Sequence, residues 1–304
     1  MGRIIERIKS GESLVSDGAW GTVLHAKGLK TGECPELWNI THPEEIYDIA
    51  RNYIEAGADM IETNSFGGNR IKLQHYGLAN RVNELNKAAA EISRKAAGAD
   101  HFVLGSIGPT GKILMMDEIT PQEMVEAFRE QAIALEAGGA DAIIIETMTD
   151  LEEAILAVKA VKENTHCEIF CTMTFEKTLN NEYRTIMGVS PSDMVSQLIE
   201  AGADLVGANC GNGSRDMVGI VKEIRNSSYS IPILIQANAG IPVNRDGKTV
   251  FTETPEEMAG VTGSLVAAGA NIVGGCCGTT PYHIQKIAQV IHVINNKNSA
   301  GTWN

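Results

Sequence analysis

The sequence predicts a single α/β domain built as a (β/α)8 barrel of the TIM type. Three observations lead to this prediction: a fourfold internal repeat, four further apolar runs between the copies, and helical patterns that separate all of these runs. Eight short strands that alternate with helices in a chain of 304 residues are typical of this fold. A doubly wound parallel sheet is the alternative, but it would not readily explain four matching strand ends spaced two βα units apart.

The repeat consists of four similar segments. Each begins with a glycine after a helical stretch, continues as an apolar run too short for a helix, and has a polar or metal-binding residue seven positions after the glycine. The copies are GADMIETN (57–64), GADAIIIE (139–146), GADLVGAN (202–209) and GANIVGGC (269–276). The glycine predicts a helix C-cap with positive φ, and the apolar run predicts a buried parallel strand. Alternate strands of a barrel share layers of side chains, so this spacing favours a closed barrel.

The other four strands are predicted between these copies. They are LVSDG (14–18), FVLGSIG (102–108), EIFCTMTF (168–175) and PILIQANAG (232–240). Helical patterns at 43–56 and 121–137 are examples of the connecting segments, and Thr41 and Thr120 are their predicted starts. We predict one domain over residues 1–304, with a core at about 12–293 and a frayed tail at 294–304.

The overall charge and the apolar pattern limit the partners and the location of the protein. The formal net charge of −13 argues against nucleic acid and anionic membranes as partners. No run of about 18 apolar residues occurs, so no transmembrane helix is expected, and the charged N-terminus does not resemble a signal peptide. These features predict a cytoplasmic protein. In a reducing compartment, clustered cysteines indicate metal binding or catalysis rather than disulfides.

Three of the six cysteines stand at predicted strand ends. Cys210 follows the sixth strand in GANCG, and Cys276 and Cys277 follow the eighth strand in GGCCGTTP. The carboxyl ends of barrel strands meet at one face, so three thiolates are expected to converge there. Such a set with one open position suits Zn²⁺ and a substrate thiol. Adjacent cysteines can both bind one ion only where the strand has ended, and the flanking glycines permit that turn.

The chemistry that fits this site is S-alkylation. A free thiol is mostly protonated at neutral pH, whereas coordination to Zn²⁺ deprotonates it. A hydrolytic zinc site more often has histidine ligands, and no HExxH pair occurs in the chain. A vicinal disulfide of Cys276 with Cys277 and a simple buried pair are the alternatives. Cys34, Cys167 and Cys171 lack the placement at a strand end, and Cys171 is predicted in the core.

Polar residues at the other strand ends are candidates for substrate binding. They are Asp17, Asn64, Glu146, Asn209 and Asn238. Two carboxylates at the barrel mouth, Asp17 and Glu146, fit the ammonium group of an amino acid, and backbone N–H groups in DGAWGT (17–22) fit its carboxylate. The alternatives are that Asp17 caps a turn, that Glu146 pairs with a neighbouring basic residue, and that Asn64 and Asn238 cap loops.

Seven motifs of the chain resemble the homocysteine S-methyltransferase family. In chain order they are DGAWGT, ETNSFGGNR (62–70), GSIGPTG (105–111), IETMTD (145–150), GANCG (207–211), QANAG (236–240) and GGCCGTTP (274–281). The resemblance covers about residues 12–293, and GANC together with GGCCGT is highly specific. The IGPTG and NAG segments are most similar to the homocysteine-binding barrel of cobalamin-dependent methionine synthase.

The resemblance implies a role for each of these site residues. By it, the three cysteines at strand ends bind zinc, and the sulfur of homocysteine fills the fourth position. It places Asp17 and Glu146 near the amino group of homocysteine, and backbone amides near Gly18 and Ala19 at its carboxylate.

The chain departs from the methionine-synthase pattern at two places. Ser106 stands where that pattern often has Asp, and Gln236 and Ala237 precede Asn238 where a proline often precedes the asparagine. These departures bear on the pocket, and therefore on the identity of the thiol acceptor more than on the zinc.

We therefore predict a zinc-dependent S-methyltransferase that activates homocysteine as a thiolate and methylates it to methionine. The methyl donor is predicted to be methylcobalamin on a separate corrinoid protein, because a single barrel is expected to have no cobalamin or folate site of its own. One alternative is a methyltransferase of methyl catabolism that moves methyl groups between a sulfonium, quaternary amine or thioether and a corrinoid partner. Another is a zinc-binding barrel without catalytic activity.

Overall fold

The protein is an eight-stranded parallel barrel surrounded by helices. The computed structural model describes residues 4–245 and 248–299. In chain order the barrel strands are β1 (Leu14–Val15), β2 (Met60–Glu62), β3 (Phe102–Ile107), β4 (Ala142–Met148), β5 (Glu168–Met173), β6 (Leu205–Gly213), β7 (Ile233–Asn238) and β8 (Ile272–Gly275). From β2 to β8 each strand pairs in parallel with the next strand along the chain, and β1 pairs with β8. A backbone hydrogen bond of 2.8 Å from Asp59, the residue before β2, to Val15 of β1 brings the two ends of the strand order together, so the barrel is nearly closed. The predicted fold class is confirmed.

Helices connect the strands and cover the outside of the barrel. They are α1 (Ile4–Lys9), α2 (Gly21–Lys27), α3 (Trp38–Thr41), α4 (Pro43–Glu55), α5 (Arg70–Gln74), α6 (Val82–Ala97), α7 (Pro121–Ala137), α8 (Leu151–Asn164), α9 (Pro191–Ala201), α10 (Ser214–Ser227), α11 (Pro255–Ala268) and α12 (Pro281–Ser299). Two small antiparallel hairpins lie in loops at the carboxyl ends of strands, Glu176–Lys177 with Tyr183–Arg184 and Val243–Arg245 with Lys248–Val250. Among the described helices, none is long and apolar enough to cross a membrane.

Alternation along the strands produces two apolar layers. One buried cluster takes at least one side chain from every barrel strand and fills the lower interior, and its strand members are Leu14, Met60, Phe102, Leu104, Ala142, Ile144, Phe170, Leu205, Leu234 and Ile272. Intervening residues such as Val15, Ile61 and Val103 belong to the larger cluster that packs against the helices. This pattern follows from the period of two in a strand, where successive side chains point to opposite faces.

Two positions farther along six of the strands, the interior becomes polar. The buried residues at this level are Ser16, Glu62, Ser106, Glu146, Thr172 and Gln236. The other two strands have Gly207 and Gly274 at this level, which contribute no side chain. A barrel interior that is apolar below and polar above places its hydrogen-bonding groups at the carboxyl ends of the strands, where barrel sites are built.

The fourfold repeat has a structural role at the amino ends of the strands. In every copy, the side chain of the residue at the third position accepts a hydrogen bond from the backbone amide of a residue in the preceding strand. The backbone amide of the third-position residue donates in return to the carbonyl group of that strand residue. The side-chain bonds are Val15 to Asp59, Val103 to Asp141, Ile169 to Asp204 and Ile233 to Asn271, at 2.8 to 2.9 Å. All four returning backbone bonds are 2.8 Å long. We call each such pair of hydrogen bonds a clasp. Each clasp joins one repeat strand to the strand before it in the chain, which explains why the repeat spans two βα units.

The predicted helix ends are mostly confirmed. All four repeat glycines, Gly57, Gly139, Gly202 and Gly269, have positive φ between 98° and 117°. Thr120 starts α7 through a capping box with Glu123, in which each side chain accepts a hydrogen bond from the backbone N–H group of the other residue. The prediction for Thr41 is wrong, because Thr41 ends α3 and its hydroxyl group donates to the carbonyl of Leu37.

Both ends of the described chain pack more closely than predicted. Ile4 and Ile8 of α1, which precede the predicted core, join the apolar cluster inside the barrel, and Glu168 accepts hydrogen bonds from the first amides of α1. At the other end, residues 294–299 of the predicted frayed tail are helical in α12. The Asn295 side chain exchanges two hydrogen bonds with the backbone of Ser13, which holds this last turn in place. Residues 300–304 of the predicted tail lie outside the described part.

The clasp predicts an unequal effect of two substitutions at Asp204. Asp204→Ala removes the acceptor for the Ile169 amide and should lower the free energy of unfolding by about 1–2 kcal/mol. Asp204→Asn should cost less than half as much, because Asn271 makes the same hydrogen bond in the fourth copy. Denaturant-induced unfolding measures both values. Equal destabilisation by the two substitutions would contradict a role for the clasp hydrogen bond.

Candidate active site and metal centre

A cavity of about 290 Å³ opens at the carboxyl ends of the strands. Loops that follow β1, β2 and β8 contribute most of its wall. Among its lining residues are Gly18, Ala19, Trp20, Glu36, Glu62, Asn64, Phe66, Ser106, Glu146, Thr147, Cys210, Gln236, Cys276 and Cys277. The cavity therefore contains most of the residues that the sequence singled out.

The three cysteines meet in the wall of this cavity. The sulfurs of Cys210, Cys276 and Cys277 all lie within 4.8 Å of one another, and those of Cys210 and Cys277 are 3.9 Å apart. A tetrahedral ion with Zn–S bonds of about 2.3 Å holds its sulfur ligands roughly 3.8 Å apart. Cys210, Cys276 and Cys277 are free thiols, so the geometry matches a metal site rather than the vicinal disulfide. The donor set and its spacing thus fit a metal ion of the size and softness of Zn²⁺.

Local backbone geometry brings the sulfurs together. β8 ends at Gly275, so Cys276 and Cys277 lie in the turn after the strand, as the sequence predicted. Gly278 completes that turn with φ of 81°, and a Cβ there would meet the Phe251 ring at 2.1 Å. Cys210 has φ of 60° in β6, where the pairing with β7 changes register. A non-glycine residue in this region stores strain, which is common at functional sites.

Hydrogen bonds within the cluster separate the pKa values of the three thiols. Bonds from the Cys276 and Cys277 thiols lower the pKa of Cys210 to about 3. The bond to Cys210 raises the pKa of Cys277 to about 11 and, together with burial, raises that of Cys276 well above its usual value. The side chain of Asn238 also lowers the pKa of Cys210. Without a metal ion at neutral pH, the cluster therefore holds one thiolate and two thiols.

Glu146 lines the cavity and is held by neighbours on two strands. Its carboxylate accepts hydrogen bonds from Ser106 at 2.5 Å and from the Asn209 amide at 3.2 Å. Burial raises the pKa of Glu146. No ion pair of Glu146 with a basic residue is present in the described chain, so the alternative of a structural salt bridge is not supported.

Asp17 is placed differently from Glu146. It is fully buried, and it is absent from the described residues that line the cavity. One of its oxygens accepts from the Glu62 amide at 2.8 Å and from the Trp20 indole at 2.9 Å. Burial raises the pKa of Asp17 to about 7. These contacts make Asp17 a support for two residues of the wall, and direct contact with a substrate stays a prediction.

Gly18 and Ala19 line the cavity, as the motif suggested. A Cβ at Gly18 would lie 2.7 Å from the Thr279 hydroxyl and 2.9 Å from the Tyr53 ring, so only glycine fits there without a shift. The Ala19 amide donates to the Thr279 hydroxyl at 3.0 Å. Contact of this amide with a substrate carboxylate stays a prediction.

The three asparagines mainly contact protein groups. Asn64 lines the cavity, but its side chain donates to Pro35 and Asn39 and holds the loop before α3. Asn209 is fully buried behind the wall, where it exchanges hydrogen bonds with the amide and hydroxyl group of Thr147. These bonds hold Thr147 at φ of 60°, which is rare for a β-branched residue. Substrate contacts of these asparagines stay predictions.

Sequence reasoning missed Glu62 as a site residue. It lines the cavity together with Glu146, and its carboxylate accepts from the Gln236 amide at 2.6 Å. Burial and the charges of Glu146 and Asp17 raise the pKa of Glu62 well above its usual value. The signal was present in the repeat, because Glu62 lies two positions after Met60 and so faces the same interior.

Comparison with known proteins gives a consistent match. A family model for homocysteine S-methyltransferase matches residues 14–291. The methionine synthase of Mycobacterium tuberculosis is 32% identical over 302 residues, covering 93% of this chain and 25% of that protein. The methionine synthase of Mycobacterium leprae is 32% identical over 301 residues, covering 93% of this chain and 24% of that protein. The chain thus spans about a quarter of the length of these relatives.

Solved structures show the same fold. The metallated form of the homocysteine methyltransferase MmuM from Escherichia coli aligns with a TM-score of 0.76 at 22% identity. The alignment covers 93% of this chain and 98% of that chain. At this level of identity the likeness establishes the barrel, not the substrate.

The thiol cluster predicts zinc binding that depends steeply on pH. The protein should bind one Zn²⁺ per chain and release about two protons at pH 7, because two of its three ligands are then protonated. The affinity should fall roughly 100-fold for each unit of decreasing pH near neutrality. Calorimetry in buffers of different ionisation enthalpy measures the proton release, and a pH-independent affinity would contradict the assignment.

Two substitutions test which cysteines hold the metal. Cys210→Ser should lose stoichiometric zinc and still unfold cooperatively, because the barrel core does not include this side chain. Cys167→Ser is the matched control, since Cys167 is outside the cluster, and it should keep one zinc. Metal analysis and thermal unfolding give both results. Retention of zinc by Cys210→Ser would remove this residue from the site.

Proposed function

Because the chain belongs to the homocysteine S-methyltransferase family and is thus a methyltransferase, we propose that it methylates the sulfur of homocysteine to form methionine. The observation that carries this proposal is the single cavity that contains three converging cysteine sulfurs and the buried carboxyl group of Glu146. A thiol group and an ammonium group on one small molecule would match these two features.

Cys210, Cys276 and Cys277 would hold Zn²⁺, which when bound supplies a Lewis acid that keeps a substrate thiol deprotonated. Asn238 steadies the Cys210 sulfur, and Asn209 lies 3.9 Å from that of Cys276. These amides stabilise negative charge on sulfur and fix where the ligands point.

The remaining residues orient the amino acid for attack. Glu146 accepts from the ammonium group, and the turn that begins at Gly18 brings the backbone close to the substrate carboxylate. Asp17 acts through its bonds to Trp20 and the Glu62 amide, which set the position of the wall. In the reaction a lone pair on the substrate sulfur forms the new S–C bond, and the donor keeps the electron pair of the bond that breaks. The rate gain comes from thiolate formation and alignment.

For the methyl donor we propose methylcobalamin on a separate corrinoid protein. The chain spans about a quarter of the methionine synthases that it resembles, so a whole enzyme of that kind needs further polypeptide. Exposed apolar side chains surround the mouth of the barrel and support a protein partner there. They are Met115, Met116, Leu179, Ile186 and Ile241, in the loops after β3, β5 and β7. Exposed apolar groups on one face often mark a docking surface.

A small cationic methyl donor is the second candidate. The cavity wall combines the aromatic rings of Trp20 and Phe66 with the carboxyl groups of Glu36, Glu62 and Glu146. Aromatic faces and carboxylates together attract sulfonium and quaternary ammonium groups. This arrangement fits a methyltransferase of methyl catabolism.

One assay separates these functions. Zinc-loaded protein is incubated with homocysteine and, in turn, methylcobalamin, S-methylmethionine and betaine, and methionine is measured. Methionine from methylcobalamin supports the proposal, whereas methionine from S-methylmethionine or betaine alone supports the second candidate. The Cys277→Ala variant is the control for zinc-dependent chemistry. A folded Cys277→Ala protein that remains fully active with every donor would contradict both candidates.

Docking at the mouth predicts a selective effect of charge. The double substitution Met115→Glu with Met116→Glu should raise the KM for a corrinoid protein donor roughly tenfold, since interface residues of this kind carry much of the binding energy. Activity with free methylcobalamin should change less than about twofold. Tyr229→Glu is the control, because Tyr229 is 87% exposed between α10 and β7, at the opposite end of the barrel. Equal loss with both donors would show that the effect is not on docking.

A further inference from the structure

One buried hydroxyl group joins the two turns that follow β1 and β8. Thr279, in the turn after the cysteine pair, is fully buried. Its hydroxyl group donates to the carbonyl oxygen of Cys276 at 2.7 Å and accepts from the Ala19 amide at 3.0 Å. Ala19 and Cys276 both line the cavity, whereas Thr279 is not among the described residues that line it. Thr279 therefore acts on a ligand through these two neighbours.

Two glycines leave room for this hydroxyl group. A Cβ at Gly18 would lie 2.7 Å from the Oγ1 atom of Thr279, and a Cβ at Gly275 would lie 2.4 Å from the same atom. Both distances are too short for a non-bonded contact, so a side chain at either position would displace the hydroxyl group. The glycines of the two turns thus permit their close approach.

Further hydrogen bonds hold the same two turns together. The Gly275 amide donates to the carbonyl oxygen of Asp17 at 2.8 Å. From α4, the hydroxyl group of the fully buried Tyr53 donates to the carbonyl oxygen of Ala19 at 2.8 Å. Both backbone polar groups of Ala19 are thus bound by protein side chains. The turn at Ala19 therefore keeps a fixed separation from the cysteine pair.

We infer that Thr279 is a positioning residue for substrate length: by fixing the turn at Ala19 relative to the sulfur cluster, it selects homocysteine over cysteine. The inference rests on the proposed function, in which the substrate sulfur lies at the cysteine cluster and the substrate carboxylate lies at the turn that begins at Gly18. Cysteine is one methylene group shorter, so it cannot reach both ends of a site of fixed length. A missing methylene group in a hydrophobic pocket weakens binding roughly 10–200-fold.

Equilibrium binding of homocysteine and of cysteine to the zinc-loaded protein tests this inference. The unsubstituted protein should prefer homocysteine by at least about tenfold. Thr279→Val has nearly the same shape but no hydroxyl group, so it should weaken homocysteine binding by roughly 5–10-fold. It should change cysteine binding by less than about twofold, because cysteine does not engage both turns. Thr279→Ser keeps the hydroxyl group and should keep the preference within about twofold. Metal analysis should find one zinc per chain in all three proteins.

A second variant and a control accompany this test. Tyr53→Phe releases the turn at Ala19 from the other side and should lower the preference for homocysteine by roughly threefold, even if Thr279→Val does not retain zinc. Thr262→Val is the matched control, because Thr262 is 1% exposed on α11 and its hydroxyl group donates to the carbonyl oxygen of Met258 in the same helix. This control should leave the preference unchanged.

The preference ratio separates positioning from a general loss of stability. Equal weakening of both ligands by Thr279→Val and Tyr53→Phe, or an unchanged preference in both variants, would overturn the inference and leave the proposed function intact. A lack of preference in the unsubstituted protein would also overturn it. Failure of the unsubstituted protein to bind homocysteine would overturn the proposed function as well.

Discussion

Sulfur atoms from two strands that are not neighbours converge at the mouth of the barrel. β7 separates β6 from β8, yet Cys210 and Cys277 come within 3.9 Å. Neither strand could do this as a regular extended chain, because regular strands keep their spacing and alternate their side chains. β8 therefore ends one residue before its cysteine pair, and β6 carries a positive φ at Cys210. The convergence of the sulfurs also accounts for the register change between β6 and β7 and for the turn at Gly278.

The strain at this end of the barrel is balanced by buried amides. Asn209 bonds the backbone and hydroxyl group of Thr147 and the carboxylate of Glu146, and Thr172 donates to the same asparagine. One fully satisfied side chain thus fixes an unfavourable backbone conformation and the position of an acidic group. Such networks stabilise a unique arrangement only when every member has a partner. The unpaired carbonyl oxygen of Gln236 is an exception in the same layer, and it lies where the cavity opens.

Sequence reasoning reached the fold and the sulfur cluster because both depend on local and periodic signals. The repeat glycines and the apolar runs specify strand and helix ends, and Cys210 follows one such run. What the sequence could not supply was the partner of each polar group. Asp17 was expected at the substrate, but its bonds to Trp20 and the Glu62 amide arise from tertiary packing. Likewise, the Ala19 amide is taken by Thr279, a residue 260 positions away. Glu62 was missed because only the last residue of each predicted strand was considered as a site residue. The alternation of side chains along the strand, which points Glu62 into the barrel interior, was not used.

The hydrogen bonds between Ser13 and Asn295 place the two flanks of the chain side by side beneath the barrel. α12 has 19 residues, so it carries the chain about 28 Å from the catalytic rim to this lower face. Any module fused at either flank would start its path at the base. A linker long enough to span the height of the barrel would then be needed for that module to reach the cavity.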